Sequence, residues 1–335
     1  MRGLWHRRRA RDHVERGAGY LVEQRLDEAL LELEHAAALT PGDWRIWYDL
    51  GLLHKWRREW QRSRDCNRAA VELGGDANAH WNLGIAATAV RDWAAARRAW
   101  RHVGVAIPDG DGPVDLELGL CVVRLHAGVA AADGGDAGHR TERPGLPPRP
   151  GGGDDGRAET VWCVRLDPAR ARVVNIPLVE SGHRWRDIVL HDGAPALRGS
   201  ETPAVTPIGE VVASGAGGRT IAVFDELERL EPSPFVTWRA SVFAPVETDV
   251  IDLVSRFEEP LRSAEDWTAT IQPRCDACRR GDPEGDHDHG SDDDDWHEQR
   301  VMAFAARSRD EVVERLEAWA GARRGRSWRR LDGGD

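Results

Sequence analysis

The stretch "GAGYLVEQRLDEALLELEHAAALTPGD", residues 17–43, has two echoes further along the chain. They are "GLLHKWRREWQRSRDCNRAAVELGGD" from Gly51 and "GIAATAVRDWAAARRAWRHVGVAIPDG" from Gly84. The spacing is about 34 residues. Gly17, Gly51 and Gly84 share a phase with Ala29, Ser63 and Ala96, then with Leu33, Asn67 and Trp100, then with Ala36, Ala70 and Val103. Pro41 and Pro108 close the first and third units, and Gly75 stands at that place in the second. Each unit reads as a helical hairpin. A small residue where the two helices cross lets the backbones approach. Large residues fill the seam with the next hairpin, and proline or glycine ends the second helix.

With Trp47, Leu50 and Gly51 in the second unit, Leu83 and Gly84 in the third, and Tyr20, Ala29 and Pro41 in the first, residues 8–107 resemble the tetratricopeptide repeat (TPR) family. The resemblance implies a scaffold that binds a protein partner along the concave face made by the first helix of each pair. One subgroup of that family grips the carboxylate tail of chaperones with lysines and asparagines. Here the matching position of the second unit is Asp49, the first unit offers Val14 and Ala18, and only Asn78 and Asn82 are of the right type. That activity is therefore not carried over. Trp44, Trp47, Trp56, Trp60, Trp81, Trp93 and Trp100 are expected to fill seams between hairpins, with one or two left on the groove as partner anchors.

Composition sets outer limits. Of 46 basic residues only Lys55 is lysine, and the net charge is -11, which argues against a mainly electrostatic nucleic-acid binder. No apolar run reaches the length needed to span a bilayer. The opening "MRGLWHRRRARDHV" has no apolar core of a secretory signal. Cys66, Cys121 and Cys163 stand among apolar residues and are expected in the core. Five cysteines without framework spacing suit a reducing cytoplasm.

After Pro108 the period changes. "VDLELGLCVVRL" alternates, with Val114, Leu116, Leu118, Leu120 and Val122 on one side, and is read as a strand or a last capping helix. Residues 127–158 are rich in glycine, proline and aspartate, and are expected to be a disordered insertion. "TVWCVRL", "RVVNIPL", "RWRDIVLHDG" and "RTIAVFDELERL" then follow as short strands, which suggests an SH3-like β domain over 110–232. Glu180, Ser181, His183, His191 and Asp192 could tempt a catalytic reading, but they lie in or beside turns, and no nucleophile elbow surrounds Ser181. "SGAGGRT", 214–220, lacks the lysine of a phosphate loop.

The last part, 233–335, reads strand-helix-strand-strand-helix-strand, the order of an α+β ferredoxin-like domain. "VTWRASVFA", "DWTATIQ", "QRVMAFAAR" and "SWRRL" are its strands. "VETDVIDLVSRFEE" is a helix with Val246, Val250, Leu253, Val254 and Phe257 on one stripe, and Ser308 with Glu311 opens the second as a capping box. The aromatic signature of RNA-binding domains with this strand order is missing.

Inside that domain the connection over 273–298 carries "CDACRRGDPEGDHDHG" from Cys275. Cys275, Cys278, His287 and His289 supply two thiolates and two imidazoles, a full tetrahedral set for a structural Zn2+. His297 or Asp288 is the substitute for one of them, since histidines two apart on an extended segment point to opposite sides. The sequence thus predicts helical hairpins over 1–109, a small β domain and a ferredoxin-like domain with a zinc hairpin. The expected role is a protein-interaction scaffold. A zinc-dependent hydrolase and an RNA- or DNA-binding module are the rival readings.

Overall fold

A computed structural model describes residues 2–125, 159–193, 223–257, 263–269 and 296–333. It opens with six helices: α1 (Arg2–Val22), α2 (Leu26–Leu39), α3 (Trp44–Trp56), α4 (Trp60–Glu72), α5 (Ala77–Ala89) and α6 (Trp93–His102). They pair consecutively as antiparallel hairpins. The recurring small residues sit where expected. A Cβ on Gly17 would lie 3.3 Å from Leu33, one on Gly84 would strike the Trp100 ring at 2.6 Å, and one on Gly51 would enter the Asn67 side chain. The same two positions of each hairpin therefore meet at every crossing.

Caps and turns follow local chemistry. Asp76 accepts from the N–H groups of Asn78 (2.9 Å) and Ala79 (3.2 Å), and Asp92 from that of Ala95 (3.1 Å). The turn inside each hairpin uses a left-handed residue that is not glycine: Gln24, Arg58 and Arg91, at φ 58°, 57° and 60°. Each is followed by an N–H that reaches back across the turn, from Arg25 to Tyr20, Glu59 to His54 and Asp92 to Ala87.

Strands β1 (Leu120–Leu125), β2 (Glu159–Arg165), β3 (Arg170–Val173), β4 (Ile188–His191) and β5 (Val223–Glu231) close into a barrel in sequence order. Neighbours are antiparallel, except that β5 returns parallel to β1. Its interior holds Cys121, Val123, Leu125, Val161, Cys163, Ala171, Val173, Val189 and Phe224. The residues expected together on one side, Val114, Leu116, Leu118, Leu120 and Val122, are not part of this interior. The strand begins only at Leu120, which is exposed, and the odd-numbered residues face inward. Gly119, at φ 96°, is the cause: the N–H of Leu118 and the carbonyl of Gly119 both bond to Arg165, so an extra residue flips the alternation. The expected insertion over 127–158 and the stretch 214–220 lie outside the described residues.

The C-terminal part is β6 (Val236–Phe243), α7 (Glu247–Ser255), β7 (Ala264–Asp266), β8 (Gln299–Ala306), α8 (Arg309–Ala322) and β9 (Ser327–Gly333). The sheet order is β7-β8-β6-β9, antiparallel throughout. Both helices cover one face, around Trp238, Phe257, Phe304, Leu316 and Trp319. β7 starts earlier than "DWTATIQ" implied. The Asp266 side chain accepts the Thr268 N–H at 2.9 Å and turns the chain before Trp267 and Ala269 can continue the strand.

Three contacts join these parts. α4, α5 and α6 share a core with barrel residues Ala169 and Leu190. Ile176 and Trp185 of the barrel pack with Trp267, Ala303 and Ala305 on the sheet face away from the helices. Lys55 of α3 reaches Asp192 at the end of β4.

Candidate functional site

The face formed by α3 and α5 is already in contact with a piece of polypeptide. On α3, Tyr48, Leu52 and Lys55 fall at i, i+4 and i+7, one stripe of the helix. On α5, Asn78 and Asn82 are i, i+4 neighbours, and the Asn82 amide donates to the Asn78 carbonyl at 3.0 Å. The Lys55 ammonium is only 5 % exposed. It donates to Asn82 Oδ1 at 3.0 Å and to the Asp192 carboxylate. Trp81 donates its indole N–H to the Asp192 carbonyl at 3.3 Å. Gly193, at φ 70°, completes the corner: a Cβ there would lie 2.7 Å from Trp81 and 2.8 Å from the Pro168 carbonyl. Only glycine fits this turn at that separation.

Asn82 therefore holds the Lys55 ammonium, and the ammonium in turn holds a carboxylate of this same chain. Lys55, its partner, was missed. A lone lysine among arginines is its only signal in the sequence, and Asp192 lies 137 residues away. A compact ammonium fits this narrow gap where a planar guanidinium would need a wider one.

The tryptophans divide. Trp60 and Trp100 are buried. Trp47 and Trp56 are half-buried against the first hairpins' core, and Trp81 against the third's. Trp44 is half-buried with Tyr48 edge-on at 6.4 Å and Arg45 over its ring at 5.0 Å. Asp49, next to Tyr48, is pushed up to about 7 by burial, with the Asp43 charge adding to the shift.

The polar residues of the barrel bond to the backbone and to one another. Ser181 Oγ donates to the Leu178 carbonyl at 2.8 Å and accepts the His183 N–H at 3.2 Å. His183 turns Nδ1 to the Ser181 carbonyl, not its hydroxyl, and sets Nε2 2.8 Å from Glu226. Burial alone would lower its pKa, but the Glu226 hydrogen bond and charge outweigh that and raise it. The His183 ring nitrogens are therefore committed to the Ser181 carbonyl and to Glu226, the serine hydroxyl has the Glu159 carboxyl as a neighbour, and Glu180 stays exposed. The His191 ring packs tilted by 38° on Phe224, with centroids 4.5 Å apart. Burial pushes Cys121 up to about 12 and Cys163 well above the usual thiol range, so neither is a thiolate nucleophile.

The expected zinc is corrected. Among the described residues no group of three or more His, Cys, Asp or Glu side chains gathers that could hold a metal ion. Two buried groups pair within the protein instead, His183 with Glu226 and Asp249 with Arg323 and Arg326. Cys275, Cys278, His287, His289 and the substitute Asp288 lie outside the described residues. His297 is described and exposed.

No protein-family model matches the chain, and no curated protein matches it. No helix among the described residues is long and apolar enough to cross a membrane.

Proposed function

We propose that this chain is a protein-interaction scaffold. In this reading three tetratricopeptide-type hairpins present their first helices to a protein partner. An SH3-like barrel over 110–232 and a ferredoxin-like domain over 233–335 follow as further modules. The hairpin assignment is supported by the repeated contacts of Gly17 with Leu33, Gly51 with Asn67 and Gly84 with Trp100. The last assignment is supported by the order β7-β8-β6-β9, in which the two strands joined through helices lie apart and the hairpin strands lie together.

One observation carries the functional reading. The α3–α5 face meets the Asp192–Gly193 corner through the side chains of Lys55 and Trp81, with Asn82 holding the Lys55 ammonium in place. A face built that way selects for polypeptide chemistry. Its stripe continues past Lys55 to Leu52 and Tyr48.

The test is site-specific photo-crosslinking. Full-length protein with benzoylphenylalanine in place of Tyr48 links one discrete protein from extracts of its source cell. The same probe in place of Arg68, on the exposed side of α4, does not. Equal labelling from both positions, or none from Tyr48, sinks the proposal.

A further inference from the structure

A recess of about 260 Å³ opens where the barrel meets the sheet, lined by Arg186, Ile188, Glu231, Pro232, Ser233, Pro234, Phe235 and Arg307. Three features set it apart from an ordinary surface dent.

Its walls are fixed from beneath by one carboxylate. Asp187 is fully buried. Its Oδ1 accepts the Ser233 N–H at 2.6 Å, and its Oδ2 accepts the Arg184 N–H at 2.9 Å and Arg229 Nη1 at 3.5 Å. The turn before β4 and the connection from β5 to β6 are thus tied to the same side chain, and the gap between them is preorganised.

Its two cations lie over aromatic rings and are left without anions among the described residues. The Trp185 and Phe235 rings meet edge to face at 4.8 Å. The Arg186 guanidinium lies 5.5 Å from the Trp185 centroid, and that of Arg307 lies 5.4 Å from that of Phe235. Among the described residues neither guanidinium has a carboxylate or carbonyl acceptor. Other arginines of this acidic chain do pair with carboxylates, as Arg170 does with Asp167 and Arg300 with Asp266. A guanidinium held by a ring's π face still has N–H groups to offer an oxyanion.

Its backbone is strained at the charged position. Arg186 has φ 71°, a left-handed conformation that disfavours any residue with a Cβ. A chain free to relax would place glycine or asparagine there.

We infer that this recess binds a phosphate monoester with a compact apolar substituent, the phosphoryl group between Arg186 and Arg307 and the substituent against Ile188, Pro232, Pro234 and Phe235. The volume exceeds what a bare phosphate fills, and the apolar wall has no other use for a free inorganic ion. Glu231 opposes the anion, but Arg91, 3.9 Å away, offsets part of its charge.

Calorimetric titration of the full chain at low salt decides the matter, with phenyl phosphate, inorganic phosphate and phenol as separate probes. Phenyl phosphate saturates at one per chain and binds more tightly than phosphate, while phenol gives no binding. Arg307→Gln and Arg186→Gly each weaken phenyl phosphate about tenfold or more. Glu231→Gln strengthens it. Arg186→Gly also keeps or raises the melting temperature, because glycine relieves the left-handed strain, so its weaker binding is not a folding defect. No saturable binding of phenyl phosphate, unchanged affinity in both arginine variants, or equal affinity for phosphate and phenyl phosphate overturns the assignment.

Discussion

Asp49 in the helical hairpins and Glu159 in the barrel are both carboxyls drawn away from water, and burial pushes both up to about 7. Their surroundings differ. Asp49 has no hydrogen-bond donor among the described residues. Glu159 takes the Leu178 N–H on both oxygens, at 3.1 and 3.0 Å, and this bond together with Ser181 pulls part of the shift back. The contrast follows from backbone geometry. A helix interior uses every N–H on its own carbonyls, so a polar side chain on a helix face must find another side chain. A barrel corner leaves N–H groups over, and an inward carboxylate can take them. The helical half therefore depends on rare side-chain pairings such as Lys55 with Asp192, whereas the β half satisfies its buried acids from the backbone and from arginines.

The largest expected effect breaks the β side of this comparison. Asp249 is fully buried at the start of α7, and accepts Arg323 Nη1 at 2.7 Å, Arg326 Nε at 2.9 Å and the Val246 N–H at 3.2 Å. Asp249→Ala leaves Arg326, its side chain 7 % exposed, with Asp252 as its remaining partner, and takes away the acceptor of Arg323 and of the Val246 N–H. A loss of about 3–5 kcal/mol in urea unfolding is expected. A loss under about 1 kcal/mol would mean that the arginines are served elsewhere and that the β half does not rely on such acids.

Lys55→Met comes next and breaks the helical side. It keeps the stem's packing and removes the ammonium from Asn82 and Asp192. Asp192 retains some access to water, so the expected cost is about 2 kcal/mol, below that of a sealed pair. Limited proteolysis should show faster cutting after Asp192 in the variant. Unchanged cutting and stability would show that the shared apolar core of α6 and the barrel joins the two parts without this contact.

How much of this was legible differs between the two halves for the same reason. Repeated hairpins write their packing into a fixed period, so Gly51 and Gly84 announced their crossings before any coordinates. Their left-handed turn residues stayed hidden, because Gln24, Arg58 and Arg91 carry no glycine signal. In the β half the alternation of Val114 to Val122 was visible, but the single extra residue at Gly119 that reverses it was not. The Lys55–Asp192 contact and the Asp187 ties join residues far apart in the chain, and no local spacing encodes them. Ser181 and His183 were visible as turn residues, yet Glu226, which holds His183, could not be named from the sequence.

Titration of Asp49 sharpens the comparison. The native carboxyl keeps its proton up to about 7, while the unfolded chain releases it near the ordinary carboxylate value. Between those two points the native state binds more protons, so stability falls as pH rises, and the full penalty is present above the native value. Asp49→Asn removes the penalty. It should stabilise the protein by on the order of 2 kcal/mol at about pH 8, with the nominal value discounted for partial exposure, and by almost nothing at about pH 4. A gain of the same size at both pH values would locate the effect in packing rather than in charge.

Glu159→Gln gives the smallest effect, and its smallness is the informative part. Glu159 has a native value as high as that of Asp49, so a rule based on titration alone would assign both replacements the same gain. The backbone argument separates them. In Glu159 the charged form is disfavoured by burial but favoured by Leu178 N–H, and a glutamine oxygen accepts that N–H more weakly than a carboxylate does. Removing the charge thus removes a cost and a bond together. The expected change is under about 1 kcal/mol at about pH 8, measured by urea unfolding beside Asp49→Asn. If Glu159→Gln stabilised the chain as much as Asp49→Asn, the Leu178 donor would contribute nothing, and helix and barrel would treat their buried acids alike.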